Sequence, residues 1–165
     1  MADSVVYDKA EYHSRGDFHS DLDEYQAFVH TGMYVAWLID RDLISDEFMK
    51  ELQREISACK RREKTGAQVY ESRDRCLIDD MLNKTGNSFS AKYFDFEKGM
   101  YLVDYGELLA DSLPSLYHVR DTWENYDVIK RRIDQRFSSW TATGAIAIDQ
   151  PHRVTTARPR KTSGR

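Results

Sequence analysis

Residues Ala27 to Ile39 read AFVHTGMYVAWLI, and this stretch decides the fold. Val29, Met33, Ala36 and Ile39 recur at the spacing of one helix face. The other faces are apolar as well, through Phe28, Val35, Trp37 and Leu38. A helix that is apolar on nearly all sides is buried in a protein core, and this one is well short of the roughly 20 residues that a membrane span needs. We therefore predict a buried central helix.

A second helix is predicted directly after the central one. Ser45 is a typical N-cap residue, and Asp46 and Glu47 place carboxylates in the first turn, where the helix dipole favours them. The apolar stripe of this helix is formed by Phe48, Leu52, Ile56 and Cys59. Three basic residues at 60–62 then occupy the last turn, which favours positive charge.

A third helix is predicted to begin at Thr65, because Thr65 and Gln68 have the spacing of a capping box. Its inward positions are Val69, Cys76, Leu77 and Met81. The turn from Asn83 to Asn87, which contains Gly86, is expected to end it.

Two short helices are predicted around the turn signal at Lys98 and Gly99. A small hairpin near residues 93–103 is the alternative, because Tyr93, Phe94 and Val103 are good strand formers. A last helix has Asn125 as its expected cap, and its stripe is Tyr126, Ile129, Ile133, Phe137 and Trp140.

These elements predict an all-α fold, a single compact bundle of about five or six helices around the central one. We expect an N-terminal arm at residues 1–20 with one short helical turn and a helical domain at 21–142. The segment 143–165 is expected to be a flexible basic tail, because residues 151–165 contain basic residues, no acid and few apolar side chains.

The charge of the chain is unevenly distributed. Residues 1–150 contain 19 basic and 28 acidic side chains, a net charge of −9. Such a body is unsuited to nucleic acid, which requires clustered Lys and Arg, so nucleic-acid contact is expected only weakly through the tail. A basic protein partner suits it better, and no membrane association is expected.

The stretch YFDFEKGMYLVDY, Tyr93 to Tyr105, combines aromatic rings with carboxylates. Aromatic anchors surrounded by charge are typical of protein interfaces, although such rings also fill cores. The candidate partner-binding residues in this stretch are Asp95, Glu97, Tyr101, Asp104 and Tyr105.

The sequence contains none of the common nucleotide-binding, hydrolase or EF-hand motifs, so a non-enzymatic protein without a cofactor is the leading hypothesis. The alternative is a metal-dependent hydrolase that uses an N-terminal set of imidazoles and carboxylates: His13, Asp17, His19 and Glu24. His30 lies among apolar neighbours and is interpreted as a core histidine. With two cysteines and no secretory signal pattern at the N-terminus, the expected location is the cytoplasm.

Four strings in the chain resemble a bacterial family of small proteins known only as a domain of unknown function. They are YDKAEYH, EYQAFVHTGMYVAWLID, GNSFSAKYFDFEKGMYLVDY and LPSLYHVRDTWENYDVIKRRIDQRFSSW, and together they span Tyr7 to Trp140. The resemblance implies no catalytic residue or cofactor. In size and acidity the chain is similar to immunity proteins, which neutralise bacterial toxins, and this similarity suggests a basic toxin domain as the partner.

Overall fold

The computed structural model describes residues 3–15 and 18–146. This part of the chain is mostly helical, which confirms the all-α class, and it adds two short strands. The α-helices are α1 (Glu11–Ser14), α2 (Val29–Asp40), α3 (Asp46–Glu51), α4 (Gln53–Lys60), α5 (Gly66–Ser72), α6 (Lys84–Tyr93), α7 (Tyr101–Tyr105) and α8 (Trp123–Thr143). The strands are β1 (Val6–Lys9) and β2 (Cys76–Ile78), and shorter helical turns cover Glu24–Phe28, Asp79–Met81, Gly106–Ala110 and Leu116–His118. Among the described helices, none combines the length and apolar character needed to cross a bilayer.

The predicted central helix is α2. All its residues from Val29 to Ile39 are buried, and α4, α5 and α8 pack against it. The approach of α5 is especially close, because a Cβ atom on Gly66 would lie only 1.9 Å from the carbonyl oxygen of Gly32. Glycine at both positions lets the two backbones touch.

The second predicted helix begins as expected and is then interrupted. The Ser45 hydroxyl accepts a hydrogen bond from the backbone N–H of Phe48 at 3.1 Å, so the N-cap is confirmed. At Leu52 the backbone leaves the helical region, with φ −114° and ψ 35°. The apolar stripe therefore runs across two helices, α3 and α4.

The third predicted helix is shorter than its pattern indicates. Its capping box forms, but α5 ends at Ser72. Asp74 and Arg75 then adopt positive φ values of 53° and 51°, which turn the chain back. Cys76 and Leu77 belong instead to β2, which pairs antiparallel with β1. The prediction of one helix through Met81 is wrong, because helical spacing gave no indication that the N-terminal segment supplies a partner strand.

The segment Asn83 to Asn87 begins a helix and does not end one. The Asn83 side chain accepts a hydrogen bond from the backbone N–H of Gly86 at 2.8 Å, which caps α6. Asparagine and glycine are common in turns, but asparagine is equally favoured as an N-cap.

The segment after α6 is a turn between two helices. Asp95 organises this turn, because its Oδ1 atom accepts hydrogen bonds from the backbone N–H groups of Glu97 and Lys98 at 2.9 and 2.8 Å. The next element is α7, so two short helices are confirmed, and no strand occupies the described residues 93–103.

The last helix, α8, begins three residues earlier than predicted. Thr122 is its cap, and the expected cap residue, Asn125, donates its backbone N–H to the Thr122 hydroxyl at 3.2 Å. Gly144 ends the helix with φ 72°. Of the predicted tail, residues 147–165 lie outside the described residues.

The predicted N-terminal arm contributes a strand as well as the expected helical turn, which is α1. Strand β1 pairs with β2, and Asp8 and Ala10 are buried. This pairing carries the Asp8 carboxylate into the interior, where it meets side chains of α2.

Candidate functional site

The structure divides the predicted partner-binding residues into two groups. Tyr101, Asp104 and Tyr105 are fully buried, so they are core residues and cannot form a contact face. The Asp104 carboxylate accepts hydrogen bonds from Arg136 Nη2 at 2.7 Å and from the Tyr93 hydroxyl at 2.9 Å. Its charge is satisfied inside the protein, which corrects the expectation that it attracts a partner.

Asp95 and Glu97 are exposed, and within the described residues neither carboxylate forms an ion pair. They lie at the edge of a surface cleft of about 330 Å³. We call it the acidic cleft, and it is lined by Val5, Val6, Tyr7, Ser90, Ala91, Asp95, Phe96 and Glu97. Val5 and Val6 are 52% and 39% exposed, so the cleft combines accessible apolar side chains with carboxylates.

The predicted metal set does not form one site. His13 lies beside Asp8 and His30, whereas His19 lies beside Asp21 and His118. Glu24 accepts a hydrogen bond from Arg75 at 2.9 Å. The fourth member, Asp17, lies outside the described residues. The hydrolase hypothesis required His13 and His19 to meet at one acid, and the structure does not bring them together there.

Asp8 and His13 of the N-terminal segment meet His30 of α2. We call these three residues the buried cluster. The Asp8 carboxylate is fully buried, and its Oδ1 atom lies 2.7 Å from His13 Nε2. The other oxygen, Oδ2, accepts a hydrogen bond from the Thr31 hydroxyl and lies 4.0 Å from His30 Nε2. The two imidazole rings meet edge to face, with their centroids 4.5 Å apart.

Tyr117 completes the surroundings of His13. Its hydroxyl lies 2.9 Å from His13 Nδ1. When Nε2 carries the proton and donates it to Asp8, Nδ1 is an acceptor and the hydroxyl donates to it. A hydroxyl can also accept, so Tyr117 can support either tautomer of His13.

The surroundings of the buried cluster favour a neutral His30 ring beside a charged Asp8 carboxylate. Burial lowers the pKa of His30 to about 3 against the opposing charge of Asp8, so the His30 ring is neutral at pH 7. Burial works to raise the pKa of Asp8, but the hydrogen bond from His13 and smaller contributions from His30 and Thr31 outweigh it and hold that pKa below its usual value. Asp8 is therefore ionised.

A second group of metal-ligand type lies at the surface. It consists of His19, Asp21 and His118, of which the first two are exposed. The two imidazole rings are 4.8 Å apart, and His118 Nδ1 lies 2.9 Å from the Ser115 hydroxyl. Exposed acidic groups are common without a bound metal, and two of these three residues are exposed, unlike Asp8 and His30.

Asp8 and Tyr117 were absent from the sequence-based candidates. Asp8 stands in the string VVYDK, whose first three residues, Val5, Val6 and Tyr7, are of types that favour strands. This strand propensity is a weak signal, and it does not indicate that the Asp8 side chain points inward. Its burial depends on the pairing of β1 with β2, which is distant in the sequence.

The fold and these sites define a mostly helical domain with an internal carboxylate–histidine cluster and an acidic surface cleft. The chain belongs to the family described as a Domain of unknown function (DUF7832), whose profile matches residues 6–119. The match includes every residue of the buried cluster. The match confirms the resemblance to a domain of unknown function, and it ends before α8 begins. No curated protein and no solved structure matches the chain.

Proposed function

We propose that the protein is a non-catalytic binding module whose acidic cleft receives a basic segment of a partner protein. The observation that carries this proposal is the cleft itself, where exposed valines meet two exposed carboxylates that form no ion pair with any described residue. The apolar side chains offer area that binding would remove from water. The carboxylates offer steering and specificity toward Lys and Arg.

The charge of the whole domain supports the same kind of partner. Residues 1–150 carry a net charge of −9, and a field of this sign accelerates the approach of a basic protein. Exposed charges are screened over about 8 Å at physiological ionic strength, so binding of this kind weakens with salt.

The specific partner in this proposal is a basic toxin domain, and the protein is its immunity protein in the bacterial cytoplasm. The chain is similar to immunity proteins in size and acidity, and this analogy supports the choice of partner. Tyr101, Asp104 and Tyr105 have no part in the proposed interface, because they are buried.

Co-expression with the product of the adjacent upstream gene tests the proposal. We expect that product to be toxic alone, and we expect a complex and restored growth when both proteins are made. In the double variant Asp95→Asn/Glu97→Gln, affinity should fall about tenfold, mainly through slower association. The turn should survive, because an asparagine oxygen can still accept the backbone hydrogen bonds that Asp95 accepts.

The matched control is Asp111→Asn/Glu47→Gln, which removes the same charge from exposed positions outside the cleft. We expect this control to retain nearly full affinity. If no complex forms, or if both double variants lose affinity equally, the acidic cleft is not the interface.

A further inference from the structure

We infer that Asp8, His13 and His30 form a binding site for a divalent transition-metal ion of the zinc class. The inference is independent of the proposed partner, because it rests on the interior of the domain. Two imidazole nitrogens and one carboxylate oxygen lie within 4.8 Å of one another. This combination of ligands is found in protein sites for zinc and for non-haem iron.

The ligand separations are close to those that an ion imposes. With bonds of about 2.0–2.2 Å, two ligands of one tetrahedral ion lie roughly 3.4 Å apart. In the structure, His13 Nε2 lies 2.7 Å from Asp8 Oδ1, and His30 Nε2 lies 4.0 Å from Asp8 Oδ2. These two separations are within about 1 Å of the required one, and one ligand atom from each of the three residues lies within 4.8 Å of the others, so movements of the side chains would bring them around an ion.

The unpartnered ring nitrogens of His30 are a second, separate indication of a ligand site. Its side chain is 1% exposed, and neither ring nitrogen has a hydrogen-bond partner among the described residues. Buried polar side chains nearly always have a partner, and an exception requires an explanation. A metal bound at Nε2 would satisfy one of the two nitrogens.

Two neighbouring hydroxyl groups, those of Tyr117 and Thr31, form hydrogen bonds with the proposed ligands, as second-sphere groups do at metal sites. The Tyr117 hydroxyl lies 2.9 Å from His13 Nδ1, so it can accept a hydrogen bond in the tautomer that leaves Nε2 free for the ion. The Thr31 hydroxyl donates a hydrogen bond to Asp8 Oδ2 and so orients the carboxylate. When the ion binds at Nε2, the ring proton lies on Nδ1 and is donated in a hydrogen bond to the Tyr117 oxygen.

The ligand types also set the selectivity. Imidazole suits zinc and its transition-metal neighbours, whereas calcium and magnesium prefer sites made of oxygen ligands. The three protein ligands come from two parts of the chain that pack together. Asp8 and His13 lie on the N-terminal segment, and His30 lies on α2. Bound metal would therefore fasten the N-terminal segment to the central helix.

Zinc titration of the full chain, stripped of metal beforehand with a chelator, tests the inference. We expect one zinc ion per chain bound in the interior and a higher melting temperature with zinc, and no such effect with magnesium. His13→Gln and His30→Gln should each weaken zinc binding about tenfold or more. The matched control is His19→Gln/His118→Gln, which removes both imidazoles of the surface group and should leave the interior site intact.

A measurement on the wild-type chain covers the case in which the buried variants do not fold. Cobalt(II) in place of zinc should shift or broaden the ring resonances of His13 and His30 in NMR spectra. Absence of binding by zinc and cobalt would overturn the inference. Binding that is lost only in the His19→Gln/His118→Gln variant, with cobalt effects confined to those two rings, would overturn it as well.

Discussion

Replacing Gly66 with alanine tests the close contact between α5 and α2. The new Cβ atom would lie 1.9 Å from the carbonyl oxygen of Gly32 and 2.7 Å from the Cβ atom of Ala36. An ordinary contact between carbon and oxygen is about 3.3 Å or longer, so the helices have to separate by roughly 1.4 Å at this point. No change of rotamer relieves the clash, because it involves backbone and Cβ atoms.

The expected loss of stability follows from this geometry. Overpacking a core costs about 1–3 kcal/mol when side chains can adjust, and a clash with backbone belongs at the upper end of that range. Alanine recovers at most about 0.5–1 kcal/mol relative to glycine in a helix. We therefore expect Gly66→Ala to lower the free energy of unfolding by about 2–3 kcal/mol, which corresponds to a fall of roughly 5–10 °C in Tm for a domain of this size.

Thermal unfolding followed by circular dichroism measures this effect, and Gly106→Ala is the matched control. A Cβ atom on Gly106 would have nothing within 4 Å, so this variant should melt at or slightly above the wild-type temperature. A Gly66→Ala protein that melts within about 2 °C of wild type would show that the two helices are not in backbone contact.

Three other predictions concern a buried charge, a helix cap and the two thiols. Asp104→Asn should lower the free energy of unfolding by about 3 kcal/mol in urea titrations, because it breaks a buried ion pair. The control Asp95→Asn changes an exposed residue and should have little effect, so equal stability of the two variants would contradict the burial of Asp104. Ser45→Ala should cost about 1 kcal/mol in the same assay through loss of the α3 cap, and an unchanged urea midpoint would contradict that cap. Burial raises the pKa of Cys59 to about 12 and also raises the pKa of Cys76, but Cys76 is partly exposed, so iodoacetamide at pH 8 should label Cys76 first. Equal labelling of both thiols in mass spectra would contradict the burial of Cys59.

The sequence predicted best those parts of the fold that depend on neighbouring residues. The apolar character of α2, the Ser45 cap and the α5 capping box are local patterns, and all three are confirmed. Strand β2 was missed because two of its three residues, Cys76 and Leu77, also fit a helical stripe. The positive φ values at Asp74 and Arg75 that direct the chain into β2 are uncommon for residues other than glycine.

The candidate sites were also hard to predict where they depend on contacts between residues that are distant in the sequence. Aromatic and acidic residues in one stretch indicated an interface, but α7 turns Asp104 inward to meet Arg136, and nothing in the sequence pairs these two residues. His30 was correctly placed in the core on the strength of its apolar neighbours. Its nearness to Asp8 could not be foreseen, because it depends on the long-range pairing of β1 and β2.

The N-terminal segment connects the two sites proposed for this protein. Residues 5–7 form one wall of the acidic cleft, and Asp8 and His13 follow on the same segment. Phe96 lies between the sites, because it lines the cleft and its ring centroid is 5.7 Å from that of His13 and 6.1 Å from that of His30. An ion that fastens Asp8 and His13 to α2 would also hold this wall and Phe96 in place before a partner arrives. A partner that binds a pre-organised cleft does not have to order it, so metal in the buried cluster should strengthen binding at the surface without any contact between the ion and the partner.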